Sequence, residues 1–168
     1  MAELTQQERL QPSLLDRLTD DAPERKQESR DKRVLSMRKL RESVLRDLGW
    51  LLNTGNLAPV EDLSDCPEVV SSVLNYGVRD LSGGTVAGMD LGALERAVRQ
   101  AIWDFEPRLL RDSVKVRARK SEKEMSNRAL TFEIEALLWA QPLPLHLFIR
   151  TEIDLESGVV TIAEHTTG

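Results

Sequence analysis

Two carboxylate pairs are the first candidates for chemistry. Asp104 and Glu106 flank Phe105, and Glu133 and Glu135 stand two apart in an alternating stretch that places them on one face of a strand. Two carboxylates suffice for glycoside hydrolysis, one as acid and one as nucleophile or base. A sugar cleft also wants aromatic platforms, and only 4% of the chain is aromatic. Trp50, Trp103 and Trp139 each fall beside an apolar stripe, where core or partner contacts are made. The carboxylates therefore read as solvated or salt-bridged charges, and no Gly-x-Ser-x-Gly sequence supports a serine nucleophile.

The other reactive side chains are few. Cys66 precedes Pro67 at a helix start, a place that can lower a thiol pKa, but a small buried or half-buried residue is the simpler reading. One cysteine excludes an intramolecular disulfide framework and a self-contained Cys-rich zinc site. His146 alternates with the apolar face of its strand and reads as a rim residue, and His165 lies in the C-terminal tail. No metal and no cofactor are expected. Gly83, Gly84 and Gly88 fit neither the dinucleotide nor the P-loop spacing and follow no strand, so they read as a turn.

The segment Phe105-Glu106-Pro107-Arg108-Leu109 stands apart. A proline fixes the backbone between an acid and a guanidinium, where a helix hands over to a sheet. Glu106 and Arg108 can clamp backbone groups or each other in a charge-assisted pair. Equally, they can be a helix stop with two solvated charges.

These residues must be positioned by the surrounding elements. The chain has 168 residues, 40% hydrophobic and 30% charged, with a formal net charge of −5. That length suits one domain with an appended arm, and that charge argues against a nucleic-acid partner. No apolar run approaches the ~20 residues of a membrane span, and the N-terminus lacks the basic-then-apolar order of a secretory signal. A soluble, cytoplasmic protein without membrane insertion is expected. Residues 1–32 read as a flexible arm carrying a short apolar helix, with Leu14, Leu15 and Leu18 as docking residues for a partner or, alternatively, for the chain's own domain. Its charged part, 20–33, cannot bury enough surface to offset its ordering entropy.

Residues 33–168 read as one α+β domain. Val34, Met37, Leu40, Val44, Leu48 and Leu51 make one helical face that ends at Asn53-Thr54-Gly55, with Arg46 and Asp47 on the opposite face. A second helix is expected over 64–75, with Val69, Val70, Val73 and Leu74 as its apolar stripe. A third runs from Asp90 and is closed by Pro107. The period then drops to two in sets starting near Val114, Leu130, Leu145 and Val159. N-terminal helices packed on a C-terminal antiparallel meander of three or four strands is an α+β pattern. So few strands cannot close a barrel, so an edge must face solvent or a partner. The first strand is guarded by Lys115, Arg117 and Arg119. The last has no Lys or Arg across Val159, Val160, Thr161 and Ile162 and is the favoured docking edge.

Several segments together resemble one family. They are Leu10-Gln11-Pro12-Ser13-Leu14-Leu15-Asp16-Arg17-Leu18, the stretch from Leu40 to Thr54, Ser72-Val73-Leu74-Asn75-Tyr76-Gly77, Leu81-Ser82-Gly83 and Phe105-Glu106-Pro107-Arg108-Leu109. In this order and spacing they are similar to the TssE baseplate subunits of bacterial type VI secretion systems, themselves similar to a wedge protein of contractile-tailed phages. The resemblance implies a cytoplasmic, non-catalytic part of an injection machine that sits with TssF, TssG and TssK where the sheath starts. It makes Glu106, Pro107 and Arg108 the family's hallmark motif. The wider family also carries a lysozyme label. The competing function, a peptidoglycan hydrolase, would need export and a sugar cleft, and the residues favour neither.

Overall fold

The computed structural model describes residues 14–19, 24, 37–83, 88–120, 129–139 and 144–164. Most of the arm, Val34, the charged loop 121–128 and His165 lie outside them.

Helices come first and strands last. They are α1 (Leu14–Leu18), α2 (Met37–Leu52), α3 (Pro67–Val70) and α4 (Leu91–Phe105), then β1 (Lys115–Lys120), β2 (Ala129–Leu138), β3 (Leu145–Asp154) and β4 (Val160–Glu164). The strands form one antiparallel sheet in the order β1-β2-β3-β4, a meander whose two edges are β1 and β4.

The two long helices form for the reasons their spacing gives. Leu40, Val44, Leu48 and Leu51 of α2 are buried, as are Val98 and Ile102 of α4. Asp90 caps α4 by accepting from the Ala93 N–H at 3.0 Å. At the end of α2, Asn53 and Thr54 turn their side chains back onto the carbonyls of Gly49 and Trp50, at 2.8 and 2.7 Å. α2 and α4 touch each other and cover one face of the sheet, α4 over β1 and α2 over β4. The alternation of β2 and β3 delivers Leu130, Phe132, Ile134, Leu147, Ile149 and Ile153 to that core. Outside the core, Glu135 pairs with Lys115 at 3.6 Å and Glu133 with Arg119 at 3.0 Å.

Between α2 and α4 the chain makes an excursion, closed at its base by Val78. Its N–H donates to the Thr54 carbonyl at 2.9 Å, and its carbonyl accepts from the Asn56 N–H at 3.1 Å. Gly77 permits this closure: it has φ of 121°, and a Cβ there would stand 2.2 Å from the Thr54 carbonyl oxygen.

Here the expected 64–75 helix is corrected. Only Pro67–Val70 is α-helical, followed by a 3-10 turn over Val73–Asn75, and α3 buries no residue. Val73 and Leu74, expected in the apolar stripe of that helix, are 80% and 70% exposed. Helical spacing puts aliphatics on one side but does not say what lies against that side, and one turn of helix does not sustain itself without packing. Cys66 is likewise exposed rather than buried. Trp50 and Trp139 are about half exposed and are not core residues, whereas Trp103 packs beside the core and donates its Nε1–H to the Arg111 carbonyl at 2.9 Å.

Candidate functional site

Glu106 ends α4, its N–H still bonded to the Ile102 carbonyl at 2.9 Å. Pro107 then stops the helix and turns the chain, because it has no N–H to continue the ladder. The next residues are strapped to the end of β2. The Leu110 N–H donates to the Leu137 carbonyl and the Trp139 N–H to the Arg108 carbonyl, both at 2.8 Å. The motif is thereby fixed between helix and sheet, with Pro107 exposed and Glu106 only 3% exposed.

The two readings left open for Glu106 and Arg108 resolve into a clamp. Arg108 Nε donates to Glu106 Oε1 at 2.6 Å and Nη2 to Oε2 at 2.5 Å, a two-pronged pair. The same Nη2 reaches Asp47 Oδ2 at 2.5 Å, and Nη1 donates to Ser43 Oγ at 3.2 Å. One guanidinium thus ties the end of α4 to the middle of α2. Burial alone would lower the Arg108 pKa; Glu106 first, then Asp47, more than offset that and hold it well above its ordinary value.

The clamp continues beyond the motif. Arg46 Nε donates to Asp47 Oδ1 at 2.8 Å, and Arg46 Nη1 to Asp16 Oδ1 of α1 at 2.7 Å. Charges therefore alternate along Asp16, Arg46, Asp47, Arg108 and Glu106. The Arg46 guanidinium also lies over the Trp50 ring, 5.0 Å from its centroid. Beside this row is a recess of about 250 Å³ lined by Leu15, Trp50, Leu51, Tyr76, Phe105 and Arg108, among others. Tyr76 and Phe105 meet there edge to face at 5.1 Å. Burial, then the charges of Asp47 and Glu106, raise the Tyr76 pKa above its ordinary 10.0.

Sequence reasoning missed the α2 half of this clamp. Arg46 and Asp47 were expected on the solvent face, yet Asp47 is only 22% exposed in its side chain. The available signal was Ser43 and Asp47, four apart at the margin of the apolar stripe. Of the docking trio, Leu15 lines the recess and Leu18 is 74% exposed. The side chain of Leu14 lies outside the described residues. Asp16 seats α1 against its own domain, the alternative considered for the arm.

The carboxylates proposed for hydrolysis are committed elsewhere. Asp104 accepts from Gln100 Nε2 at 2.9 Å and pairs with Arg111 at 3.6 Å, while Glu106, Glu133 and Glu135 each hold a cation. His146 is exposed, as expected of a rim residue. Among the described residues, no group of His, Cys, Asp and Glu could hold a metal ion, and no helix is long and apolar enough to cross a membrane.

Both sheet edges are partly capped by side chains. Glu95 of α4 accepts from the Ala118 N–H of β1 at 2.8 Å. Asn53 faces β4 and makes two bonds to Val160, Nδ2 to its carbonyl and Oδ1 from its N–H, both at 2.9 Å. Val160 therefore points its backbone away from β3. Alternation turns Thr161 back toward Glu152 of β3, and Ile162 outward again. Of the favoured edge, Val159 is 52% exposed and Val160 is buried.

No curated protein and no solved structure shows a significant match to the chain. Residues 38–143 match the family described as baseplate wedge protein gp25. That span runs from α2 through the clamp and past the end of β2, more than half of the chain. The motif is held as a strut between helix and sheet, with Glu106 paired to Arg108. The chain belongs to the gp25 family of baseplate wedge proteins.

Proposed function

We propose that this chain is the TssE-type subunit of a type VI secretion baseplate, cytoplasmic and non-catalytic, joining the wedge to the start of the sheath. Its family is that of a structural protein of phage-tail-like baseplates. The observation that carries the finer reading is the clamp. Arg108 spends four hydrogen bonds inside the molecule on holding Glu106, Asp47 and Ser43, and so presents Pro107 on a rigid corner. TssF, TssG and TssK are the partners assigned to that corner, and sheath subunits to the edge of β4. A rigid corner suits a load-bearing joint, because a preorganised contact loses little entropy on binding.

The test is co-purification of the chain with TssF, TssG and TssK, followed by sheath polymerisation. Arg108→Ala is expected to abolish both. Pro107→Ala, at an exposed position, is expected to leave folding intact and weaken wedge binding. Normal wedge capture by a folded Pro107→Ala chain and normal sheath growth with Arg108→Ala would overturn the assignment. At β4, Ile162→Pro removes the first outward N–H beyond the Asn53 cap. Sheath nucleation at the normal rate by that variant would take the docking site away from this edge.

A further inference from the structure

Residues 57–74 contain no buried residue, yet they carry four large aliphatics in the open: Val60, Val70, Val73 and Leu74, exposed by 78%, 49%, 80% and 70%. Scattered exposed aliphatics are ordinary; four on one short excursion are a local concentration of the kind that interaction surfaces carry. The excursion is also held in shape by polar bonds directed inward. Asn75, itself only 6% exposed, accepts from the Leu57 and Ala58 N–H groups at 3.0 Å each and donates to the Val70 carbonyl at 2.8 Å. One buried amide thus ties the turn that carries Val60 to the end of α3. Ser72 accepts from the Leu74 N–H at 3.2 Å and donates to the Val69 carbonyl at 3.0 Å, which sets the 3-10 turn bearing Val73 and Leu74.

The charge that the excursion itself carries has one sign. From Asp47 to Val78 there is no Lys, Arg or His, in a chain with 23 Lys and Arg. Glu61, Asp62, Asp65 and Glu68 are all exposed on the excursion. Nucleic acid and anionic lipid would be repelled by this field, and a purely apolar partner would leave the carboxylates facing nothing. A protein surface that sets Lys or Arg around aliphatic anchors satisfies both features.

We propose that residues 57–74 are a docking surface for a basic protein segment with aliphatic anchors. The anchors fill the space over Val60, Val70, Val73 and Leu74, and the cations meet Glu61, Asp62, Asp65 and Glu68. The proposal does not rest on the role assigned to the Arg108 corner or to β4.

The lone Cys66 sits within the surface and provides a place for an environment-sensitive dye on the full chain. The probe is an amphipathic leucine–lysine helical peptide of about 18 residues, with a leucine–glutamate peptide of the same length as control. Saturable binding of the leucine–lysine peptide is expected, weakening about tenfold between about 50 mM and 300 mM salt as screening shortens. Val73→Ser with Leu74→Ser should weaken it about tenfold, and Glu61→Gln with Glu68→Gln about fivefold, with unchanged melting temperature because the side chains are exposed. Calorimetric titration of the unlabelled chain should agree. Equal affinity for the leucine–glutamate peptide, or leucine–lysine binding unchanged by both double variants, would overturn the proposal. So would a concentration-dependent dimer abolished by Val73→Ser with Leu74→Ser, which would make the occupant a second copy.

Discussion

Around Arg108 the charges are turned inward and packed between helices and sheet, whereas along residues 57–74 the carboxylates and aliphatics are turned outward over a polar frame. The first region joins residues far apart in the chain, Ser43 and Asp47 to Glu106 and Arg108. The second holds residues close in sequence, 57 to 75, in one shape. Interactions that close a long loop secure the fold itself, and those that shape a local excursion secure a surface. The clamp should therefore be costly to break for folding, and the outer face of the excursion should be costly only for binding.

The largest expected effect is at the clamp. Arg108→Ala strands the buried Glu106 carboxylate and half-buried Asp47, which should destabilise the protein by about 3 kcal/mol in denaturant unfolding. A loss below about 1 kcal/mol would place the pair among ordinary surface ion pairs and erase the contrast. Next is Asn75→Ala, which leaves two N–H donors and one carbonyl of the excursion without their partner. About 2 kcal/mol is expected, together with faster amide exchange at Leu57 and Ala58. Unchanged exchange there would mean that Asn75 is not the frame. Smaller still is Val73→Ser with Leu74→Ser, expected within about 0.5 kcal/mol of the parent because both side chains are exposed.

The smallest effect is a pH dependence at the margin of the clamp. Tyr76 has its pKa raised above 10.0 by burial and by Asp47 and Glu106. The folded state thus prefers the protonated phenol. Its stabilising contribution is complete below pH 10 and is lost as pH rises through the raised value. The alkaline loss of stability should be shallower in Tyr76→Phe. Parallel curves for the two proteins above pH 10 would remove Tyr76 from the electrostatics of the clamp.

The same two regions show what was legible in the sequence. The apolar stripes of α2 and α4 and the alternation of β2 and β3 are local patterns, and each produced the element expected of it. The Glu106-Pro107-Arg108 motif was visible because a proline between opposite charges at a change of period is itself a local pattern. Asp47 was not, because hydrophobic periodicity sorts residues by apolarity and assigned this carboxylate to solvent. Its partner is 61 residues away, and only the packing of α2 beside the end of α4 brings them together. The excursion was misjudged for the converse reason: Val69, Val70, Val73 and Leu74 have helical spacing, but among the described residues no other element packs over Val73 and Leu74. Asn75 looked like a helix terminator, and its three bonds depend on a turn 17 and 18 residues earlier.

One small feature has a geometric effect on any chain that pairs with β4. Asn53 offers Val160 a donor and an acceptor in the arrangement a neighbouring strand would offer. That position is already taken, so the next main-chain pair that faces outward along β4 is at Ile162. Sliding an added strand by two residues toward the β3–β4 turn would require breaking both amide bonds, at a cost of about 1–3 kcal/mol. A side chain at the end of a helix therefore acts as a stop that sets alignment. Asn53→Ala would permit two alignments where the native residue permits one.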